Sequence, residues 1–152
     1  MEEPQLSSAL QAEYLQLQKT IEDFDARALT IKAWSVSFGL ASIAGAFASH
    51  RAVVFLIAAF GALLFWFLET RWKVFQLAYY ERAGLIERHF QGGARVEHPF
   101  QIGAAWHKAW SATTNAEATR MAVWPHVALP HAFVFVAGVL MFVLAWLSVI
   151  AP

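Results

Sequence analysis

Residues 33–68 read AWSVSFGLASIAGAFASHRAVVFLIAAFGALLFWFL. The run from Ala33 to Ser49 carries no charge, and after His50 and Arg51 a second uncharged run extends from Ala52 to Leu68. Each falls a little short of the roughly 20 residues that cross a hydrocarbon core. One further turn on each, with Ile31 and Lys32 before the first and Thr70 to Trp72 after the second, makes up the difference. Long side chains there keep their polar ends in water while their stems stay in the apolar layer. The stretch predicts two transmembrane helices, about 31–49 and 52–70, joined by the tight turn Ser49-His50-Arg51.

A third apolar run, AFVFVAGVLMFVLAWLSVI from Ala132 to Ile150, is long enough to cross alone and predicts a transmembrane helix over 129–150. The composition agrees: 59% of the 152 residues are hydrophobic and 14% charged, far from the balance of a soluble domain. A single small domain has no room to bury three such helices on every face. The expected fold is an all-α membrane protein of three transmembrane helices, the first two a tight hairpin extended into the cytoplasm as an antiparallel helical pair.

Charge orients the spans. Of the 11 Lys and Arg, Arg51 alone lies in the short turn, and the others precede the first span or fall between the second and third. The positive-inside rule puts the N-terminus in the cytoplasm and the C-terminus outside, as a multi-pass protein of the inner (plasma) membrane. Trp34, Trp66 and Trp72 fall at the same inner boundary, where an indole with one polar edge is favoured, and Trp106, Trp110 and Trp124 are further candidate interface anchors. The segment from Met1 to Thr30 is polar and Glu-rich, so no cleavable signal is expected. Net charge is zero and the basic residues form no stripe, which disfavours nucleic acid as a partner. With no cysteine, disulfides, thiolate metal sites and cysteine nucleophiles are all removed.

Outside the spans the pattern becomes amphipathic. Leu10, Tyr14, Leu17, Ile21, Phe24, Ala28 and Ile31 recur at alternating steps of four and three, a heptad seam that predicts a cytoplasmic helix over 1–30. Leu68, Trp72, Phe75, Tyr79, Ala83, Ile86 and Phe90 continue the second span in the same way over 71–91, with Lys73, Glu81, Arg82, Glu87 and Arg88 set mostly off the stripe. Gln91-Gly92-Gly93 is a helix stop, 92–103 reads as a loop, and 104–124 as one helix, lying either in the membrane interface or against the cytoplasmic helices. Small residues line the first span at Ser35, Gly39, Ser42, Gly45 and Ala46, and Ala58 and Ala62 repeat the spacing in the second. Such faces let helices approach closely in lipid.

Chemistry is sparse. Away from their ends the spans hold no Asp, Glu, Lys, Arg or His, which disfavours an ion-coupled carrier. Glu69, at the inner end of the second span, is adequately explained by a pair with Lys73 four residues on. His126 and His131, each after a proline and five apart, do not have metal-ligand spacing and read as interfacial residues satisfied by headgroups or water. No nucleophile sits in a specific pattern with a base, and Gly92-Gly93 follows a helix rather than opening one. No catalytic, cofactor-binding or metal residue is assigned, and no cofactor is expected.

The stretches LQLQKTIEDFDARALTIKAWSVSF (Leu15–Phe38), FWFLETRWKVFQLAYYERAG (Phe65–Gly84) and AVWPHVALPH (Ala122–His131) are similar to an uncharacterised family of small bacterial inner-membrane proteins with no assigned activity. That resemblance implies a bacterial inner-membrane setting and nothing about chemistry. In architecture alone, a cytoplasmic helix feeding a two-span hairpin resembles the two-transmembrane effectors of nucleotide-signalled bacterial defence. The expected function is a non-enzymatic scaffold in the lipid bilayer, self-associating as a homo-oligomer or holding a membrane partner protein. The alternatives are an oligomeric channel or membrane-disrupting effector, and a membrane enzyme acting on a lipid through the Trp106–His131 region.

Overall fold

The computed structural model describes residues 2–93 and 95–152. Among these the chain is all-helical: α1 (Glu3–Ser49), α2 (Val53–Phe90), α3 (Ile102–Ala112), α4 (Asn115–Ala122) and α5 (Pro125–Trp146). Three of them, α1, α2 and α5, are long and apolar enough to cross a membrane. At 1.5 Å per residue α5 spans about 33 Å, close to a hydrocarbon core, whereas α1 and α2 run to about 70 and 57 Å and extend well past one. Most of the apolar stretch of each helix faces outward rather than into the protein. In water such surface is costly; against lipid tails it is not.

The chain divides into two compact units, one of Met1–Arg27 with Trp72–Ala118, the other of Ala28–Arg71 with Thr119–Pro152. In the first, Leu6, Leu10 and Leu17 of α1 pack with Ala83 and Ile86 of α2 and with Val96, and Tyr14, Tyr79, Leu85 and Ile102 close the cluster. Phe24 meets Trp72 and Tyr79, with ring centroids 4.7 and 5.6 Å apart. In the second unit α1 and α2 meet through Phe38–Phe65 and Phe47–Phe55, and α5 closes on both through glycines. A Cβ on Gly39 of α1 would lie 2.3 Å from Val134 Cγ1, and one on Gly138 of α5 would lie 2.8 Å from the Phe55 carbonyl oxygen of α2. Small residues here set the interhelix distance, as expected where dispersion is the main attraction between helices.

The segment read as one helix over 104–124 is two. Thr113 is extended (ψ 121°) and ends α3; Thr114 then caps α4. Its hydroxyl accepts from the Glu117 amide at 3.3 Å while the Glu117 carboxylate accepts the Thr114 amide at 2.7 Å. This reciprocal capping box satisfies two amide donors at the start of a helix. The preceding loop ends at Gln101 rather than 103, because α3 already begins at Ile102. The last helix starts at Pro125, a residue preset for the first helical position, and stops at Trp146 rather than reaching 150.

Candidate functional site

Four polar side chains from the three long helices converge inside the second unit. Ser35 on α1 and His131 on α5 are joined through Oγ and Nδ1 at 2.8 Å, and His131 Nε2 lies 2.9 Å from Glu69 Oε2 on α2. The other carboxylate oxygen, Oε1, accepts from the Lys32 ammonium of α1. Ser35, Glu69 and His131 are 1%, 2% and 0% exposed, so water does not reach them; the Lys32 side chain keeps 20% of its surface. An ionised carboxylate only accepts hydrogen bonds, which puts a proton on Nε2 and lets a neutral ring accept the Ser35 hydroxyl proton at Nδ1. Every member then has a partner, and no described buried side-chain N or O atom is left without one.

The helices position these groups by register. On α5 the buried residues Val127, His131, Val134 and Gly138 step by four, three and four, so His131 occupies a core position of its helix. On α2 the buried residues Phe55, Ala62, Glu69, Gln76 and Ala83 recur every seventh position. Glu69 is therefore on the same stripe as Phe55 and Ala62.

The order Ser-His-Glu invites comparison with a hydrolytic triad, and the geometry departs from one. In a triad the acid holds Nδ1 and the nucleophile faces Nε2, at a surface a substrate can reach. Here the two ring nitrogens are exchanged, and Ser35 Oγ is sealed between helices. What the arrangement does chemically is hold three apolar helices by directional, charge-assisted bonds in a medium where an unpaired polar group is expensive.

Two expectations are corrected by it. Glu69 pairs with Lys32 and His131, while Lys73 bonds Gln76 at 2.6 Å and Asp25 at 3.4 Å. The reason is direction: the stripe that carries Glu69 faces α1 and α5, and a buried carboxylate takes the partners already inside. His131 is a fully buried ligand of Ser35 and Glu69 rather than an interfacial residue; His126 is exposed.

A second buried set holds the first unit. Glu13 accepts from Arg82 Nε and Nη2 at 2.8 and 3.0 Å and from the backbone amides of Phe100 and Gln101 at 2.8 and 3.2 Å. Arg82 gives one more bond to the His98 carbonyl at 2.9 Å. The carboxylate thus sits at the N-terminus of α3, where the helix dipole favours negative charge, and pins the 96–101 segment against α1 and α2. Glu13 carries no role in the sequence reading and Arg82 is placed there off the stripe, yet both are buried: Glu13 lies three after Leu10 and four before Leu17, and Arg82 three after Tyr79 and four before Ile86. A charge at a seam position was the available signal.

The seam residues Leu10, Tyr14, Leu17, Tyr79 and Ile86 lie in or against the first core, Ile21 is buried, and Phe75 packs on Trp106 and Trp110. The Tyr14 hydroxyl donates to Glu87 at 2.8 Å, and that hydrogen bond, with burial adding to it, raises its pKa above the ordinary phenol value. Among the six candidate interface anchors, Trp34 is exposed and Trp124 is half-buried beside His126. The others have protein partners: Trp66 donates to the Ala122 carbonyl, Trp72 to Phe24, and Trp106 to Phe75 while stacking on Trp110. Of the small residues, Ser35, Gly39, Ala46, Ala58 and Ala62 are buried, Ser42 is half-buried, and Gly45 has open space where a Cβ would stand.

Searches against protein-family models, curated proteins and solved structures find no match.

Proposed function

We propose that this is a multi-pass membrane protein whose α1–α2 hairpin and α5 cross the bilayer three times, with the N-terminus in the cytoplasm, and that it serves as a non-enzymatic scaffold. The observation that carries the reading is the closure of the Lys32–Glu69–His131–Ser35 set. Its groups are spent on one another at 2% exposure or less for the inner three, which suits a clamp that makes three spans one rigid piece. The partner-holding face follows from what the clamp leaves over. Ser37, Ala41, Ala44 and Ala48, at steps of four, three and four on α1, are exposed, and Gly45 beside them is uncovered. A second copy of the chain or another membrane protein is the kind of partner such a small-residue face admits closely.

The same face supports a second reading, an oligomeric pore lined by α1, because small and hydroxyl-bearing residues suit a channel wall. Native mass spectrometry of the full chain extracted in nanodiscs separates the two. A dimer, or a monomer carrying another protein, supports the scaffold. A closed ring of four or more copies favours the pore, and a bare monomer that binds nothing sinks both.

A further inference from the structure

The buried set holds one negative group and two that can be positive. With Glu69 ionised, Lys32 balances it and a neutral His131 leaves the site without net charge. Adding a proton to His131 introduces a second positive charge beside a carboxylate already paired, in a place that water does not reach; an uncompensated charge there is strongly opposed. One member has a way out. Lys32 retains 20% of its side-chain surface, and its four-carbon stem at the end of an apolar run lets the ammonium turn toward water, whereas His131 and Glu69 are enclosed.

We propose that Glu69 is a single counter-charge contested by two cations, Lys32 and a proton on His131, so that proton uptake at His131 expels Lys32 from the site. Ser35 fits both states. A neutral imidazole accepts its hydroxyl proton at Nδ1; a protonated one donates to Oγ, and the hydroxyl then turns to its own helix, where a serine reaches the carbonyl four residues back. A residue able only to donate or only to accept is left unpaired in one of the two states. Glu69 Oε2 keeps its bond from Nε2 throughout, so the three helices stay joined while the ammonium moves. Among the described residues, the charged or titratable groups in contact with His131 and its carboxylate are Glu69 of α2 and Lys32 of α1. Arg71 lies two positions on from Glu69 and His126 five before His131, so each points from a different side of its helix. The proposal goes beyond the scaffold reading on the same buried set, and the Glu69–His131–Ser35 links that join the helices persist in both charge states.

The test uses the full-length protein, uniformly labelled with ¹³C and ¹⁵N, in lipid nanodiscs. Solid-state spectra follow the His131 ring nitrogens and the Lys32 Nζ–Glu69 Cδ correlation from about pH 8 to about pH 5, the range in which imidazoles titrate. The expected result is that the correlation is lost over the same interval in which His131 becomes doubly protonated. Persistence of the correlation beside a protonated His131, or a ring whose form does not change across the range, overturns the proposal on the wild-type protein alone. In Lys32→Met the protonated-to-neutral ratio of His131 at a given pH is expected to rise about tenfold, since the competing cation is gone. An unchanged ratio in a folded variant also overturns it.

Discussion

At the scale of single residues, the two buried carboxylates are where this protein is most vulnerable. Removing one partner of a buried charged pair leaves the other uncompensated, at a cost of about 3–5 kcal/mol. Glu13→Ala strands Arg82 and two backbone amides and is expected to cost that much, whereas Glu3→Ala, which breaks a pair whose side chains are 69% and 71% exposed, is expected to be nearly silent. Chemical denaturation of the purified protein in detergent reads the contrast, and equal effects from the two substitutions exclude a structural role for the Glu13 set. The glycines of α1 divide in the same way. Gly39→Leu drives a side chain into Val134 and is expected to dislodge α5, at about 1–3 kcal/mol or more, while a Cβ at Gly45 meets nothing, so Gly45→Leu is expected to change stability far less. If Gly45→Leu nevertheless abolishes assembly, the uncovered face is the contact.

At the scale of elements, the ends of the helices carry the information that periodicity does not. Three of them finish in the same way, with an amide reaching back five residues and its predecessor reaching back three. The pairs are Arg51 to Ala46 with His50 to Phe47, Gly93 to Arg88 with Gly92 to His89, and Val149 to Leu144 with Ser148 to Ala145. This Schellman motif needs a left-handed residue, supplied by His50 (φ 52°), Gly92 (φ 79°) and Ser148 (φ 58°). Only the middle one announces itself in the sequence. Because a Cβ is penalised in that conformation, Ser148→Gly is expected to stabilise the end of α5 by up to about 1 kcal/mol; a lower melting temperature contradicts the assignment. The start of α4 depends on pH. Backbone and side-chain bonds from Thr114 hold the Glu117 pKa below its usual 4.5. A carboxyl whose pKa is lower in the folded state stabilises above its unfolded value and loses that contribution as pH falls through the folded one. Amide protection over 114–118, the slowing of exchange relative to an unstructured chain at the same pH, is therefore expected to fall on acidification below about pH 4.5 in the wild type and to show no such fall in Glu117→Gln.

At the scale of the whole molecule, three long apolar helices with mostly outward-facing surface make the bilayer the natural solvent. The proposed orientation predicts that a cysteine placed after Pro152 reacts with an impermeant thiol reagent from outside intact cells, while one placed at Glu2 does so only after lysis; the opposite pattern reverses the topology. The sequence by itself determined that the chain is helical and which three helices are apolar, because uncharged runs of that length have no other stable arrangement and the signal is local. Heptad spacing also carried the inward face of the first half of α1, down to Leu17, and small residues four apart carried that of the second span, down to Ala62. Tertiary structure alone decided what the polar residues on those faces do. Lys32, Glu69 and His131 each stand near the end of an apolar run, where a single-helix reading sends a charge outward to water or to a neighbour one turn away. Their partners lie 37 and 62 positions distant, on other helices. Whether a group at a helix end snorkels or turns inward depends on what the next helix presents, and no pattern along one helix contains that.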